Sequence, residues 1–351
     1  MPAVTGLCQA ALTTAAFPSY RRLMMKRALS PLFLFLLAMP AWALTSRDVR
    51  VVNGDVVLRG TLTLPDGVRP APAVIFLHGS GPQTRQGVEF IADAFARKGF
   101  ATLTFDKRGC GESSGSWIEA SLQDLASDAV AVVRYAAQQP EIDKARIGLW
   151  SVSQSGWYAP IAANSEPAVS FLIVVTGGGA TPREVEWFGY EGALRHRGAS
   201  ESDVTAARGL VARYFDYLAT GEKRGELLDA IAAAKKEAWS AAVPLERVLP
   251  SEGNRERWSW VATYDPRSDI AKLHVPVLLL FGGADHLTPP VSLDRWTAAL
   301  ARARVTVRVF PEAGHAIVAG EHAAPVAGKR PNYAVGYLEM MSAWLSAVTA
   351  N

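Results

Sequence analysis

The chain has 351 residues, of which 49% are hydrophobic and 20% charged, so it is long and apolar enough to bury a large core, which argues against disorder. Four of its 36 basic residues lie within positions 1–43, which hold no acidic residue, and the other 32 are balanced by 33 acidic residues. The formal charge of +3 therefore becomes −1 without that segment, and the sequence predicts no nucleic-acid partner.

Residues 1–43 are typical of an export signal. Lys26 and Arg27 precede a short apolar run at 28–39, and the small-x-small signal AWA follows at 41–43. Because a helix that spans a bilayer needs about 20 apolar residues, this run is too short to do so. We expect cleavage after the signal and an exported protein, periplasmic or extracellular, with no stable membrane association. A retained membrane anchor is the alternative.

Apolar runs beyond the signal predict an α/β fold. The segment 49–65 contains two β-branched arms around a central Asn53-Gly54 turn, which is typical of an antiparallel hairpin. Six later apolar runs show no alternation and are separated by segments of helix length. They lie at 73–78, 101–106, 146–152, 170–176, 275–282 and 305–310. This pattern predicts a mostly parallel sheet covered by helices on both faces.

One long interval interrupts the alternation of strands and helices. Between 176 and 274 the sequence has several helical patterns and no convincing strand, and this is too long for an ordinary crossover. We therefore predict a helical cap at 180–268, inserted into a core formed by 44–179 and 269–351. Two helix starts carry capping pairs, Ser121 with Asp124 and Ser200 with Asp203.

Ser153 lies at a predicted junction of strand and helix, in the segment IGLWSVSQSGWYAP. Open α/β sheets build their sites at the carboxyl ends of their strands. The nucleophile elbow Gly-x-Ser-x-Gly requires small residues two before and two after the serine, and here Ser151 and Ser155 take those positions, followed by Gly156. We predict Ser153 as a nucleophile and expect glycine at 151 or 155 to keep or raise activity. A polar strand end without chemistry is the alternative.

Asp285 and His315 are the candidate acid and base. A serine hydroxyl needs a base to take its proton, and that base needs an acid to hold its tautomer. Asp285 follows the strand predicted at 275–282, and His315 follows the last predicted strand, so both are expected at the same sheet edge as Ser153. Asp265 and Asp269 are alternative acids, but neither follows a strand. A solvated loop histidine is the alternative for His315.

The segment FLHGSGPQTR is the candidate for oxyanion stabilisation. Acyl transfer needs donors for the developing oxyanion, typically two backbone N–H groups. Two glycines let the chain after the strand at 73–78 bend toward the nucleophile, so we expect the N–H of Ser80, or less favourably Gly81, to act with the N–H of Gln154. A glycine-rich turn without chemistry is the alternative. No His/Cys/Glu spacing suggests a metal site, and we predict no metal and no organic cofactor.

The motifs HGSGP, FDKRGCGESSG, the serine elbow, GGADHLTPP and FPEAGH resemble, in order and spacing, the α/β-hydrolase superfamily. The chain is most similar to bacterial exported esterase-like members related to the serine aminopeptidase and dienelactone hydrolase groups. The resemblance covers 50–346, except the cap interior, and implies the α/β-hydrolase fold. It assigns Asp106, Arg108 and Gly109 to a structural turn without chemistry. Cys110 in that turn is expected to be a buried, inert thiol.

Residues and resemblance together predict a serine hydrolase that cleaves carboxylic esters of small or medium acyl groups through an acyl-enzyme on Ser153. Its predicted partner is a small-molecule ester, and its oligomeric state is left open. The alternatives are a serine aminopeptidase resembling proline iminopeptidase, a thioesterase, and a catalytically dead binding protein on a hydrolase fold.

Side chains of the predicted cap bear on that choice. An aminopeptidase would need carboxylates there to hold the substrate ammonium, and the candidates are Glu184, Glu186, Glu191, Glu201 and Asp203. Six aromatic residues are candidates for an acyl pocket, although packing is the commoner use of such residues: Trp187, Phe188, Tyr190, Trp258, Trp260 and Tyr264.

Overall fold

A single eight-stranded sheet organises the computed structural model, which describes residues 44–67, 70–300, 304–320 and 331–350. The predicted export signal at 1–43 lies outside the described residues. The strands are β1 (Thr45–Asn53), β2 (Val56–Leu64), β3 (Ala71–Phe76), β4 (Ala101–Phe105), β5 (Ile142–Val152), β6 (Val169–Val175), β7 (Val277–Gly282) and β8 (Val305–Phe310). Their order across the sheet is β1-β2-β4-β3-β5-β6-β7-β8.

Only β2 runs against the other strands. It pairs antiparallel with both β1 and β4, whereas every pair from β4 to β8 is parallel. Gly54, with φ +57°, makes the turn from β1 to β2. The central strand β3 is buried along its whole length, which explains its uninterrupted apolar sequence. The mostly parallel sheet predicted from the sequence is confirmed.

Helices cover both faces of this sheet, because successive side chains of a strand point to opposite sides. The described α-helices are α1 (Glu89–Ala96), α2 (Leu122–Ala137), α3 (Ser155–Ser165), α4 (Pro182–His196), α5 (Glu201–Thr220), α6 (Arg224–Ala234), α7 (Leu245–Val248), α8 (Arg255–Trp258), α9 (Trp260–Thr263), α10 (Arg267–Ala271), α11 (Val291–Ala299) and α12 (Tyr337–Thr349). Ile75 and Leu77 pack with α2, α3 and α11 on one face, while Val74 and Phe76 pack with α1 and α12 on the other.

The chain between β6 and β7 consists of helices α4 to α10 and their connections. The capping pair Ser200 and Asp203 starts α5 there, and Tyr214 and Leu218 of α5 lie in a hydrophobic cluster separate from the two that flank the sheet. The boundaries of a cap at 180–268 stay a prediction. Among the described helices, none has the length and apolar character needed to cross a bilayer.

Candidate active site

Ser153 occupies the sharp turn between the end of β5 and the start of α3. Its φ is +55°, a left-handed conformation that costs a non-glycine residue of order 1–3 kcal/mol. Its N–H donates to the carbonyl of Val175 at 3.0 Å. The turn packs tightly against the chain after β6, since a Cβ added to Gly177 would lie 2.2 Å from the Ser153 carbonyl oxygen, and one added to Gly156 would lie 2.4 Å from the Gly177 carbonyl carbon. The glycine that permits close packing therefore follows Ser155.

The hydroxyls of Ser151 and Ser155 are both bonded within the protein. Ser151 Oγ donates to the carbonyl of Ile173 on β6 at 3.0 Å. Ser155 Oγ accepts the N–H of Val152 at 2.6 Å and donates to the Val152 carbonyl at 2.8 Å, so it ties the elbow to the last residue of β5. Both serines are fully buried. Their side chains hold the elbow in place, and Ser153 is the serine of the three that remains partly exposed.

Asp285 and His315 come together at the carboxyl ends of β7 and β8. His315 Nδ1 lies 2.9 Å from Asp285 Oδ2. The other carboxylate oxygen, Oδ1, accepts the N–H groups of Leu287 at 2.8 Å and Thr288 at 3.1 Å, which prevents the carboxylate from rotating away. The Asp285 side chain is 2% exposed and the His315 side chain 21%, so the acid is shielded while the imidazole can reach a ligand.

The environment keeps Asp285 ionised. Burial alone would raise its pKa, but the hydrogen bond and charge of His315, together with the N–H groups of Leu287 and Thr288, outweigh burial and lower the pKa below its usual value. A carboxylate in this state fixes the imidazole with Nδ1 protonated and leaves Nε2 as the acceptor.

Thr176, the residue after β6, joins the loop of His315 to that of Asp285. Thr176 Oγ1 accepts the N–H of Ala316 at 3.2 Å, and the Thr176 carbonyl accepts the hydroxyl of Thr288 at 3.0 Å. Thr288 Oγ1 in turn lies 3.5 Å from His315 Nδ1. Nothing in the local sequence distinguishes Thr176, because its partners are more than 100 residues away, and sequence analysis did not identify it.

Backbone strain is concentrated at this edge of the sheet. Five described non-glycine residues have a positive φ, and four of them are Ser153, Thr176, Ala316 and Ile317. Strained conformations persist only where surrounding contacts impose them, and they cluster at functional sites. Ser153 bonds Val175 at the end of β6, and Ala316, the neighbour of His315, bonds the adjacent Thr176. Among the described residues no hydrogen bond joins the Ser153 side chain to the His315 side chain.

The loop after β3 lies against the elbow. A Cβ added to Gly79 would lie 3.4 Å from the Cβ of Ser153. The Gly79 N–H is already used, since it donates to Gln83 Oε1 at 2.9 Å. In contrast, the N–H groups of Ser80 and Gln154 have no acceptor among the described residues, and the same holds for Gly81. The predicted oxyanion donors are thus left available on two segments that touch each other.

His78 has a different role from His315. Its Nε2 lies 2.6 Å from the carbonyl of Phe105, and Tyr158 bonds both its N–H and its carbonyl. Burial, aided by the charge of Lys107, lowers the pKa of His78 to about 4, so the ring is neutral near pH 7 and donates from Nε2. His78 therefore anchors the loop.

Comparison with known proteins agrees with this architecture. The model of the alpha/beta hydrolase family matches residues 74–329. This chain belongs to the alpha/beta hydrolase family. The resemblance inferred from the motifs is therefore confirmed, and the chain is a hydrolase.

Individual relatives of this hydrolase are distant. It is 27% identical over 257 residues to an uncharacterised 31.7 kDa protein of Escherichia coli from the traX-finO intergenic region, covering 66% of this chain and 78% of that protein. It is 25% identical over 283 residues to esterase EstD of Thermotoga maritima, covering 77% and 60%. The structure of Est1E from Butyrivibrio proteoclasticus with ferulic acid superposes with a TM-score of 0.53 at 16% identity, covering 85% and 96%, which shows a shared fold.

Most of the candidate cap carboxylates of this hydrolase have partners within the protein. Arg295 forms an ion pair with Glu184 that lowers the pKa of Glu184 to about 2. Arg195 pairs with both Glu191 and Glu201. Asp203 is the capping partner of Ser200 and Glu186 is hydrogen-bonded to Tyr190, so these two candidates have no ion pair among the described residues. Burial raises the pKa of Glu186, which favours its neutral form.

The candidate pocket aromatics of the hydrolase are mainly in packing contacts. Trp187, Tyr190, Trp258 and Trp260 pack against the hydrophobic cluster of the 180–268 segment, and the Tyr264 hydroxyl donates to the Trp157 carbonyl at 3.2 Å. No group of three His, Cys, Asp or Glu side chains is arranged to hold a metal ion in the part of the chain that the structure describes. Cys110 is buried with its thiol free.

Proposed function

We propose that this hydrolase cleaves carboxylic esters of small or medium acyl groups through an acyl-enzyme on Ser153. The observation that carries the proposal is the pairing of His315 with Asp285 on the sheet edge where Ser153 is held in a strained turn. Strain of this kind is the feature that a nucleophile elbow imposes on its serine. The esterase relative EstD supports ester cleavage as the reaction class.

In the proposed mechanism, His315 Nε2 takes the proton of Ser153 Oγ as this oxygen bonds to the ester carbonyl carbon. Asp285 stabilises the imidazolium that forms. When the tetrahedral intermediate collapses, the bond to the alkoxy oxygen breaks and His315 returns the proton to the leaving alcohol. Water then repeats the sequence against the acyl-enzyme, releasing the carboxylic acid and restoring the Ser153 hydroxyl. No metal or organic cofactor takes part in these steps.

The N–H groups of Ser80 and Gln154 are the proposed oxyanion donors. Both lack an acceptor among the described residues, and Gly79 brings the loop of Ser80 against Ser153. Donors fixed before the reaction stabilise the developing negative charge without reorganisation, and loss of one such donor costs about 10²–10³ in kcat. Backbone donors also explain why no positively charged side chain is needed in direct contact with the oxyanion.

The state of the cap carboxylates favours esters over aminoacyl substrates. An aminopeptidase needs an ionised carboxylate that is free to hold the substrate ammonium. Glu184, Glu191 and Glu201 are each paired with an arginine, and burial raises the pKa of Glu186. Leaving alcohols also need less precise protonation than leaving amines. A serine aminopeptidase and a thioesterase are the competing activities that the assay below separates.

We further propose that segment 180–268 acts as a cap over the core and that the protein is exported after removal of residues 1–43. The cap proposal is supported by the separate hydrophobic cluster of that segment and by its ion pair between Arg257 and Asp124 of α2 at 2.8 Å. Amino-terminal sequencing of the exported protein tests the second proposal, and a sequence that begins at Leu44 is expected. A first residue upstream of Met24, or recovery in the membrane fraction, would contradict it.

The function is tested by measuring kcat/KM for p-nitrophenyl esters of increasing acyl length beside the matching thioesters and alanyl and prolyl anilides. We expect the short and medium esters to be the best substrates. Ser153→Ala should lower kcat by about 10⁶-fold. Ser165→Ala, at the end of α3, should leave kcat unchanged. A preference for the prolyl anilide that is lost in Glu186→Gln would replace the esterase proposal with an aminopeptidase. If the protein turns over none of these substrates and Ser153 does not react with an alkyl fluorophosphonate, it would be a binding protein.

A further inference from the structure

Lys107 is a buried cation beside the candidate active site that the proposed mechanism does not use. It is 2% exposed and lies in the turn after β4. Its Nζ donates to the carbonyls of Gly79 at 2.8 Å and Gly81 at 3.1 Å, and to Gln154 Oε1 at 2.9 Å. An ammonium has three N–H groups, so these three acceptors use its whole hydrogen-bonding capacity.

These acceptors belong to the two segments that carry the proposed oxyanion donors. The Gly79 carbonyl and the Ser80 N–H are the two ends of one peptide group, so a cation bonded to the carbonyl polarises the N–H that faces the substrate. The hydrogen bond from Lys107 to the Gly81 carbonyl fixes the chain on the other side of Ser80. Gln154 carries the second proposed N–H, and Lys107 holds its side chain. One ammonium therefore connects both donors.

We propose that Lys107 is the positioning residue of the oxyanion hole: its ammonium clamps the loop of Ser80 to the elbow at Gln154 and polarises the Gly79–Ser80 peptide. This inference rests on the proposed serine-hydrolase function. Lys107 does not touch the substrate in this account, and it acts through the backbone donors. Its contribution should therefore appear in the transition state more than in ground-state binding.

The surroundings of Lys107 leave its charge uncompensated. In the described part of the chain no carboxylate forms an ion pair with it, and its Nζ lies 5.6 Å from the centroid of the Trp117 ring. His78 is neutral near pH 7, and the Asp106 carboxylate accepts the N–H groups of Arg85 and Glu112 instead. Cys110, three residues later in the same turn, interacts electrostatically with Lys107.

Burial lowers the pKa of Lys107 to about 8, an effect that the Cys110 thiol only partly opposes. The ammonium is therefore charged near pH 6, and it loses its charge and one donor as the pH rises through about 8. If Lys107 supports the oxyanion hole, kcat of the wild-type protein should decline above pH 8. The decline should disappear when the side chain cannot titrate.

The test is ester hydrolysis by full-length Lys107→Met, Lys107→Gln and Lys107→Arg, with kcat and KM measured from pH 6 to 10. We expect Lys107→Met to lower kcat about 10- to 100-fold at pH 7 with little change in KM, a smaller loss than removal of a donor itself. Lys107→Arg should recover part of kcat because it keeps the charge. The decline of kcat above pH 8 should be absent in Lys107→Met and, if that variant does not fold, in Lys107→Gln.

Arg108→Met is the matched control. Arg108 is the next residue of the same turn and is also a buried cation, but its guanidinium bonds Asp128 at 2.6 Å and the Asp124 carbonyl, both on α2. It should lose thermal stability and keep wild-type kcat and pH profile. A wild-type value of kcat in Lys107→Met would overturn the inference, and so would an unchanged decline of kcat above pH 8 in Lys107→Met or Lys107→Gln. If Ser153→Ala is inactive in the same assay, the proposed serine mechanism still stands. An active Ser153→Ala would instead remove the function on which it rests.

Discussion

Asp285 Oδ2 lies 2.9 Å from Nδ1 of His315, 30 residues later in the chain, while its Oδ1 is held by two backbone N–H groups. The carboxylate is thus fixed at both oxygens, and only one of them faces the imidazole. This arrangement requires the loops after β7 and β8 to keep a constant separation. The bonds of Thr176 to Ala316 and Thr288 provide that constraint from the neighbouring strand.

Asp285→Asn should therefore reduce kcat for esters by about 10⁴-fold, because an amide can stabilise the wrong imidazole tautomer. Steady-state kinetics at pH 7 measures the loss. Asp265→Asn is the control, since Asp265 pairs with Arg267 on the surface and does not contact His315. Equal losses in both variants would contradict the assignment of the acid.

Thr176→Val should lower kcat by about tenfold and the free energy of unfolding by about 1 kcal/mol, since the Ala316 N–H loses its acceptor and the loop of His315 is less well held. Thr102→Val makes the same change at a buried threonine whose hydroxyl finds no hydrogen-bond partner within the described segments. It should leave kcat unchanged and keep or raise stability. If Thr176→Val matches Thr102→Val in both measurements, Thr176 does not constrain the site.

Gly79→Ala should reduce kcat about 10- to 100-fold with a smaller change in KM, because its Cβ would meet Gln83 Nε2 at 3.2 Å and Ser153 Cβ at 3.4 Å and displace the loop of Ser80. Gly87→Ala is the matched control, since a Cβ there meets no atom within 4 Å. The comparison uses kcat and KM for one p-nitrophenyl ester. An unaffected kcat in Gly79→Ala would show that the loop need not approach Ser153 closely.

Ser155→Gly should lose stability, whatever its effect on activity, which the sequence alone predicted to be kept or raised. The Ser155 hydroxyl satisfies the buried N–H of Val152, and an unsatisfied buried donor costs about 1–3 kcal/mol. Chemical denaturation of Ser155→Gly beside Ser165→Ala, an exposed serine whose hydroxyl bonds only within its own helix, measures the difference. Equal midpoints would show that the Ser155 hydroxyl does not contribute to stability.

The sequence was most informative where its signals are local or repeated. Uninterrupted apolar runs predicted the parallel strands, and Ser121 and Asp124 form the capping box that their spacing indicated. The shared position of Asp285 and His315 at one edge of the sheet was predictable because each follows a strand in a parallel sheet. The structure adds that they are in direct contact.

Contacts between distant segments were not predictable in the same way. The strand predicted to start at 146 begins at Ile142, because pairing of Ala71 with Ile142 extends β5 beyond its apolar run. Thr176 and Lys107 act through hydrogen bonds to residues from other loops, and such bonds leave no periodic pattern in the sequence. The pairing of Glu184 with Arg295 likewise depends on how α4 meets α11.

The most direct test of the central claim is intact-mass spectrometry and peptide mapping after treatment with an alkyl fluorophosphonate. The wild-type protein should form one adduct per chain, located on Ser153, and Ser153→Ala should form none. Asp285→Asn should form the same adduct far more slowly. An adduct on another residue, or labelling that persists in Ser153→Ala, would contradict a mechanism based on Ser153.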